Sequence, residues 1–297
     1  MERGGAPHDK AAKPRTINDY KVALLKLRVG LPPKNAKLEE YEKRWIEATA
    51  AAPPGVREPA LQTTAWWLGA PAFVALLAVR SLAAATAPIM DCDETFNYWE
   101  PAHYTLYGWG FQTWEYSPAY ALRSYLFLLP HSCLLRLLHA ALGSKIAAFY
   151  GARAAQAALC WHLERRFCEA AALRYGEASA HATLWLLAGS AGMFHAAPAF
   201  LPSSFTMLAV LGIWSAWLRG QYGPAIVGAV YTILLVWPFA VLLYVPLGLA
   251  ALLAPEFGLG RVLLWGCGAT AVLGGASVAY DGAFYGRCGA HPQLLAP

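Results

Sequence analysis

The chain has 297 residues, 58% of them hydrophobic and only 14% charged, where a soluble globular domain averages about 45–50% apolar and about 25% charged. That composition excludes an ordinary soluble domain and a disordered chain, and points to the membrane as solvent. A net charge of +5, with no basic run interleaved with aromatics, excludes nucleic-acid binding.

Residues 1–64 hold 12 of the 23 Lys/Arg and 8 of the 18 Asp/Glu. They are polar and punctuated by proline, with a helix predicted over 36–50 between Pro33 and Pro53. No apolar run follows the first basic residues, so the segment reads as a cytosolic tail rather than a cleavable signal peptide. Residues 65–87 are apolar apart from Arg80 and a few hydroxyls, long enough for a first span. The basic residues before it put the tail in the cytosol and the segment after Pro88 in the lumen. An Arg within a span either faces a cavity, snorkels to the headgroups or pairs with a loop acid.

Further apolar runs cover 119–142, 145–163, 180–200, 202–219, 224–238, 239–254 and 261–280. With 119–142 as an amphipathic helix on the lumenal surface, Arg165, Arg166, Arg174, Arg219 and Arg261 become cytosolic, as charge bias prefers, and seven spans result. The lumen then receives Arg123, Arg136, Lys145 and Arg287. If 119–142 spans instead, every later loop changes side. Pro238 and Pro246 interrupt the stretch 224–254, which predicts broken helices around a wet cavity. The expected fold is an all-α polytopic transmembrane bundle with a lumenal loop at about 88–142 following the first span.

The six cysteines form no C-x-x-C pair and most sit in apolar runs, so neither a zinc site nor a disulfide framework is expected. His103, His131, His139 and His195 lack metal-ligand spacing and read as structural.

Polar chemistry concentrates in one place. Five of the ten acids after residue 64, namely Asp91, Asp93, Glu94, Glu100 and Glu115, fall in one 25-residue stretch, and ten aromatics lie between Phe96 and Tyr120. Three carboxylates within four residues repel one another unless solvated or paired. They suit either a general base or the capping of a helix start, where acids are favoured. The aromatics suit either an interfacial belt or stacking against sugar faces, and a pure belt does not require five acids beside it. An ion relay would place its carboxylates inside spanning helices, and the later runs contain almost none, which argues against a transporter.

Asp91-Cys92-Asp93-Glu94-Thr95-Phe96-Asn97-Tyr98-Trp99-Glu100-Pro101, then Tyr107-Gly108, the stretch Gly110 to Tyr120, and Arg123-Ser124-Tyr125 together carry a family resemblance. Phe200-Leu201-Pro202-Ser203-Ser204-Phe205, Trp237-Pro238-Phe239, and Asp281 with Tyr285-Gly286 follow in the same order. The chain resembles the endoplasmic-reticulum alpha-1,2-mannosyltransferases of asparagine-linked glycosylation, which belong to glycosyltransferase family 22 and have the GT-C membrane fold.

The resemblance implies inverting transfer of mannose from dolichyl phosphate mannose to a dolichyl-diphosphate-linked oligosaccharide in the lumen. It implies these lipid-linked substrates and membrane lipids as partners, and no cofactor beyond the donor substrate itself. Relatives carry His-Pro-Asp-Glu where this chain has Asp91-Cys92-Asp93-Glu94, so Asp93 and Glu94 hold the shared acidic positions. Asp93 is then the expected base, with Glu94 orienting the acceptor or replacing it. Asp91, Trp99, Glu100, Glu115, Tyr116 and Asp281 are candidates for substrate contact, and Arg123 for the phosphate. The sequence departs from the family at Trp109, Val236 and Gly282 to Phe284, and the resemblance ends after Arg287. It covers about residues 65–287, roughly the first half of a family member, so an inactive fragment is the alternative reading.

Overall fold

The computed structural model describes residues 36–51, 71–254 and 257–289, and among these all regular structure is helical. Most of the expected cytosolic tail, the start of the first expected span at 65–70, and the end from 290 onward lie outside the described residues. Helix α1 (Leu38–Ala51) coincides with the helix expected over 36–50, and α2 (Pro71–Thr86) is the described part of the first expected span.

A π-helical turn, Glu94–Trp99, runs directly into the short α3 (Glu100–Tyr107). An irregular loop with a 3₁₀ turn at Trp114–Tyr116 leads to α4 (Tyr125–Leu142) and the 31-residue α5 (Lys145–Tyr175). Local chemistry sets the α4–α5 junction. Ser124 caps α4 by accepting from the Leu126 N–H at 3.1 Å, Gly143 closes it in the left-handed conformation at φ 66°, and Ser144 caps α5 by accepting from Ala147. Then follow α6 (Glu177–Gly189), α7 (Ala191–Ala196), α8 (Pro202–Leu218), α9 (Tyr222–Tyr231) with a π turn at Thr232–Val236, a 3₁₀ turn at Pro238–Ala240, α10 (Val241–Leu253) and α11 (Gly258–Gly289). Helix α5 is the central post, packed on α2, α4, α6 and α8, while α8 to α11 form a second group from which α11 returns to α4.

Two described helices are long and apolar enough to cross a membrane by length and composition, Tyr125–Leu142 and Gly258–Gly286, and shorter apolar helices cover 72–86, 202–218, 222–236 and 238–253. The helix expected on the lumenal surface over 119–142 therefore begins at Tyr125 and itself meets the spanning criterion. The run expected to span at 180–200 is broken at Ser190, whose hydroxyl accepts from the Met193 N–H at 3.2 Å and starts α7. Of the two prolines expected to interrupt 224–254, only Pro238 does so. It forces the preceding Trp237 into an extended conformation (φ −153°, ψ 107°), and the Trp237 N–H turns back to the Thr232 carbonyl at 2.8 Å. Pro246 lies inside the continuous α10, costing it one hydrogen bond without ending it.

Arg80 shows why the charge count along the spans misled. It is fully buried, and its partner is neither a loop acid nor a headgroup but Glu164, also fully buried, 84 residues away on α5. The guanidinium donates through Nε to Oε2 at 3.0 Å and through Nη2 to Oε1 at 2.5 Å, and Nη2 also reaches the Leu187 carbonyl on α6 at 2.8 Å. The apolar run ends at residue 163, but the helix continues to Tyr175 and takes Glu164 into the bundle. On the same face of α5, Arg153 is buried and binds the last carbonyls around α2, Ala84 at 3.0 Å and Ala87 at 2.5 Å.

Leaving one member of a buried charge pair alone costs about 3–5 kcal/mol, whereas replacing both by apolar residues of similar volume is close to neutral. Thermal unfolding of the detergent-solubilised chain should therefore show a large loss for Arg80→Ala or Glu164→Gln alone, and a clearly smaller one for Arg80→Met combined with Glu164→Leu.

Candidate active site

The acidic aromatic loop folds around the π turn, and the turn sorts its carboxylates by burial. A π helix places residue i+5 over residue i. Here Trp99 accordingly donates its indole N–H to Glu94 Oε1 at 3.0 Å. The same oxygen accepts the Phe200 N–H at 3.0 Å, so Glu94, only 2% exposed, ties the loop to the start of α8. Trp99 is spent on this frame: its ring packs on Phe149, His131 and Phe200 at centroid distances of 4.6, 5.2 and 5.3 Å.

Asp93 points the other way and is exposed. Its Oδ1 accepts from Asn97 Nδ2 at 3.1 Å, and its Oδ2 lies 4.0 Å from Arg123 Nη2. Asp91, also exposed, accepts the Asp93 N–H at 2.9 Å. A cavity of about 330 Å³ opens beside Asp93, lined also by Phe96, Asn97, Phe111, Thr113, Trp114 and Glu115. Phe96 and Phe111 meet edge to face at 5.7 Å, Trp114 and Tyr120 at 5.2 Å, and all four rings are exposed. These are the aromatic faces available to a ligand.

Arg123 is held on three sides. Its Nε donates to Glu115 Oε2 at 2.8 Å, its Nη1 to the Tyr98 hydroxyl at 2.6 Å, and its carbonyl accepts from the Tyr285 hydroxyl at 2.5 Å. Burial, opposed by Arg123 and reinforced by the acids Asp93, Glu115 and Asp91, pushes the Tyr98 phenol up to about 12. Burial likewise raises the Tyr116 phenol. Both phenols therefore remain protonated at physiological pH, and Tyr116 donates to the Asn97 carbonyl at 2.6 Å. That carbonyl needs a donor because Pro101, four residues on, has no N–H to supply.

Two further candidates act at a distance from the cavity. Glu100 Oε2 accepts the Phe111 N–H at 3.2 Å, and Gly110, at φ 149°, keeps open a space where a Cβ would stand 3.3 Å from that oxygen. Asp281 on α11 caps α4 from 155 residues away: Oδ1 accepts from the Tyr125 and Leu126 N–H groups at 2.8 and 3.1 Å, and Oδ2 from the Ser124 and Ser277 hydroxyls at 2.7 and 2.9 Å. Of the residues singled out from the sequence, Asp93 and Glu115 line the cavity and Asp91 and Arg123 adjoin Asp93. Glu94, Trp99, Glu100, Tyr116 and Asp281 belong to the frame that holds it. Phe96, Phe111 and Trp114 stand among the ten loop aromatics already weighed as stacking surfaces, whereas sequence reasoning gave no role to Asn97 and Thr113, although both stand in the motif stretches.

Asp91, Cys92 and Asp93 bring one possible ligand atom each to within 4.8 Å of one another. The set is exposed and mixes two hard carboxylates with a soft thiol, a combination matched to no particular ion.

Compared with protein families, residues 71–292 match the Alg9-like mannosyltransferase family. The chain belongs to this family. It is 39% identical over 259 residues to the alpha-1,2-mannosyltransferase ALG9 of Mus musculus, across 86% of this chain and 41% of that protein. With the Homo sapiens alpha-1,2-mannosyltransferase ALG9 the identity is 43% over 181 residues, 60% of this chain and 30% of that protein. With the one from Arabidopsis thaliana it is 36% over 216 residues, 72% and 37%. The chain thus matches between 30% and 41% of the length of these relatives. No solved structure matches it. The family match takes in the whole loop and α11, so both cavity and frame lie within the Alg9-like region.

The tertiary cap of α4 is testable on its own. Each buried donor left without a partner costs about 1–3 kcal/mol. Asp281→Ala should lower the melting temperature of the purified chain and speed hydrogen exchange at the Tyr125 and Leu126 amides, while Asp281→Asn, which keeps one acceptor, should lose less.

Proposed function

We propose that the chain carries the acid-bearing part of a mannosyltransferase that moves mannose from dolichyl phosphate mannose to a dolichyl-diphosphate-linked oligosaccharide, forming an alpha-1,2 bond on the lumenal side of the endoplasmic-reticulum membrane. The observation that carries this reading is the placement of Asp93: an exposed carboxylate at a cavity of about 330 Å³, walled by exposed aromatic rings, with a guanidinium 4.0 Å away. The cavity is at the lower end of the size of small-ligand sites, about 300–1,000 Å³.

The chemistry needs few groups. Dolichyl phosphate leaves as a stable anion and requires no proton, so one base suffices. The acceptor hydroxyl oxygen bonds to the anomeric carbon as the bond from that carbon to the phosphate oxygen breaks. The bonding electrons depart with the phosphate, the hydroxyl proton passes to Asp93, and the anomeric configuration inverts. Arg123, positioned by Glu115 and Tyr98, is the cation beside Asp93 and offsets the charge developing on the phosphate. Phe96, Phe111 and Trp114 stack on sugar faces, and Glu115 and Asp91 accept from sugar hydroxyls. Glu94, buried and bound to two donors, holds the turn in shape rather than taking the proton. The N-terminal segment is cytosolic and the loop lumenal in this reading, in keeping with the charge bias.

Expression in cells lacking the endogenous alpha-1,2-mannosyltransferase, with profiling of lipid-linked oligosaccharides, tests the reading. Restored elongation that Asp93→Asn reduces by about 100-fold or more, the scale of a lost general base, is the expected result. Elongation indifferent to Asp93→Asn would remove the base assignment. Failure of the unmodified chain to restore elongation, given that it spans 41% of the mouse relative, would favour a fragment without activity of its own.

A further inference from the structure

Asn97 stands at the centre of a relay that the mechanism above does not use. It is 5% exposed; its Nδ2 donates to Asp93 Oδ1 at 3.1 Å and its Oδ1 accepts from Thr113 Oγ1 at 2.5 Å. A carboxylate has only acceptors to offer. The amide can therefore face Asp93 only through its NH₂ end, since the opposite flip would set two acceptor oxygens against each other. The Thr113 hydroxyl, donating to the far oxygen, holds that orientation. With Oδ1 bound, the remaining Asp93 oxygen is the one that faces Arg123. The other polar neighbours are charged or held by a charge: Asp91 accepts the Asp93 N–H, while Glu115 and the Tyr98 hydroxyl are both bound to Arg123. Asn97 thus supplies direction without adding charge.

We propose that Thr113 and Asn97 are positioning residues for mannosyl transfer: Thr113 sets the amide of Asn97, and Asn97 sets the rotamer of Asp93 so that its second oxygen meets the acceptor hydroxyl. The proposal rests on Asp93 acting as base. An ordinary contact between residues four apart on a helical turn would need the bond from Asn97 to Asp93 but not Thr113, which comes from 16 residues further on and itself lines the cavity. Thr113 is thereby the residue that separates a positioning device from simple helix support.

The full chain, in membranes of cells lacking the endogenous enzyme, is assayed with dolichyl phosphate mannose and the lipid-linked oligosaccharide those cells accumulate. Misplacing a reacting group by about 1 Å can cost about 100-fold. Thr113→Val, equal in shape but without the hydroxyl, should lower kcat by about 10-fold with the acceptor KM unchanged, and Thr113→Ser should restore it, because the loss is of a transition-state arrangement and not of binding. A second measurement needs no turnover. The sequence has asparagine only at 18, 35 and 97, so in chain labelled with ¹⁵N-asparagine the Asn97 side-chain amide is assigned by its disappearance in Asn97→Ser. Exchange of that amide with water should quicken in Thr113→Val and not in Thr113→Ser. Wild-type kcat in Thr113→Val, a rise in KM alone, or an unchanged amide exchange rate would each overturn the proposal. Full activity of Asp93→Asn would instead remove the base reading and the positioning role with it, while a quickened amide in Thr113→Val would persist, so the two failures are distinguishable.

Discussion

A carboxylate taken out of water costs several kcal/mol unless its oxygens are met by donors, and this chain meets that demand by using acids, two of them buried and one half-buried, as tethers between distant segments. Glu94 joins the π turn to the start of α8 through one oxygen and two donors. Glu164 joins α5 to α2 through Arg80, and Arg80 extends the tie to α6. Asp281 joins α11 to the start of α4 with three accepted hydrogen bonds, and a fourth from Ser277 on α11 itself steadies it. Because these acids are committed to the frame, the acids of the loop that remain exposed, Asp91 and Asp93, and the half-buried Glu115 are the ones left beside the cavity.

The local backbone serves the same division. A π turn followed by Pro101 leaves the Asn97 carbonyl without its helical donor, and the Tyr116 phenol fills the place. That bond draws the 3₁₀ turn over the π turn and sets Thr113, Trp114 and Glu115 across from Asp93, closing the cavity. Tyr285 and Asp281 then hold the segment carrying Arg123 from the far end of the chain, and Phe284 stacks on Tyr125 at 3.6 Å. Arg123 therefore depends on α11 for its backbone and on Glu115 and Tyr98 for its side chain, which makes the described bundle one unit with the loop it supports.

Much of this was legible in the residues. The excess of apolar side chains, the clustering of acids with aromatics, and the ordered motifs point to a helical, apolar chain of the Alg9-like family with its acids and aromatics gathered in one loop. Individual roles were less legible. Trp99 and Trp114 look alike in sequence, yet one fills the frame and the other walls the cavity, because a π turn shifts side-chain direction by a fraction of a turn that no periodicity records. Pro238 and Pro246 look alike too, but only at Pro238 does the preceding residue leave the helix.

Composition and motif order by themselves determined that this is an all-α chain of the Alg9-like kind with its polar chemistry in one loop, since solvent preference and residue type are properties of the chain as written. Only the tertiary structure decided which acid is a tether and which is free, that Arg80 meets Glu164, that Asp281 caps a helix from the opposite end of the sequence, and that Asn97 and Thr113 stand behind Asp93. The physical reason is that burial and hydrogen-bond partnership are settled by contacts across 16 to 157 residues, and in an apolar bundle a polar group takes whichever partner the packing brings, however far along the chain it lies.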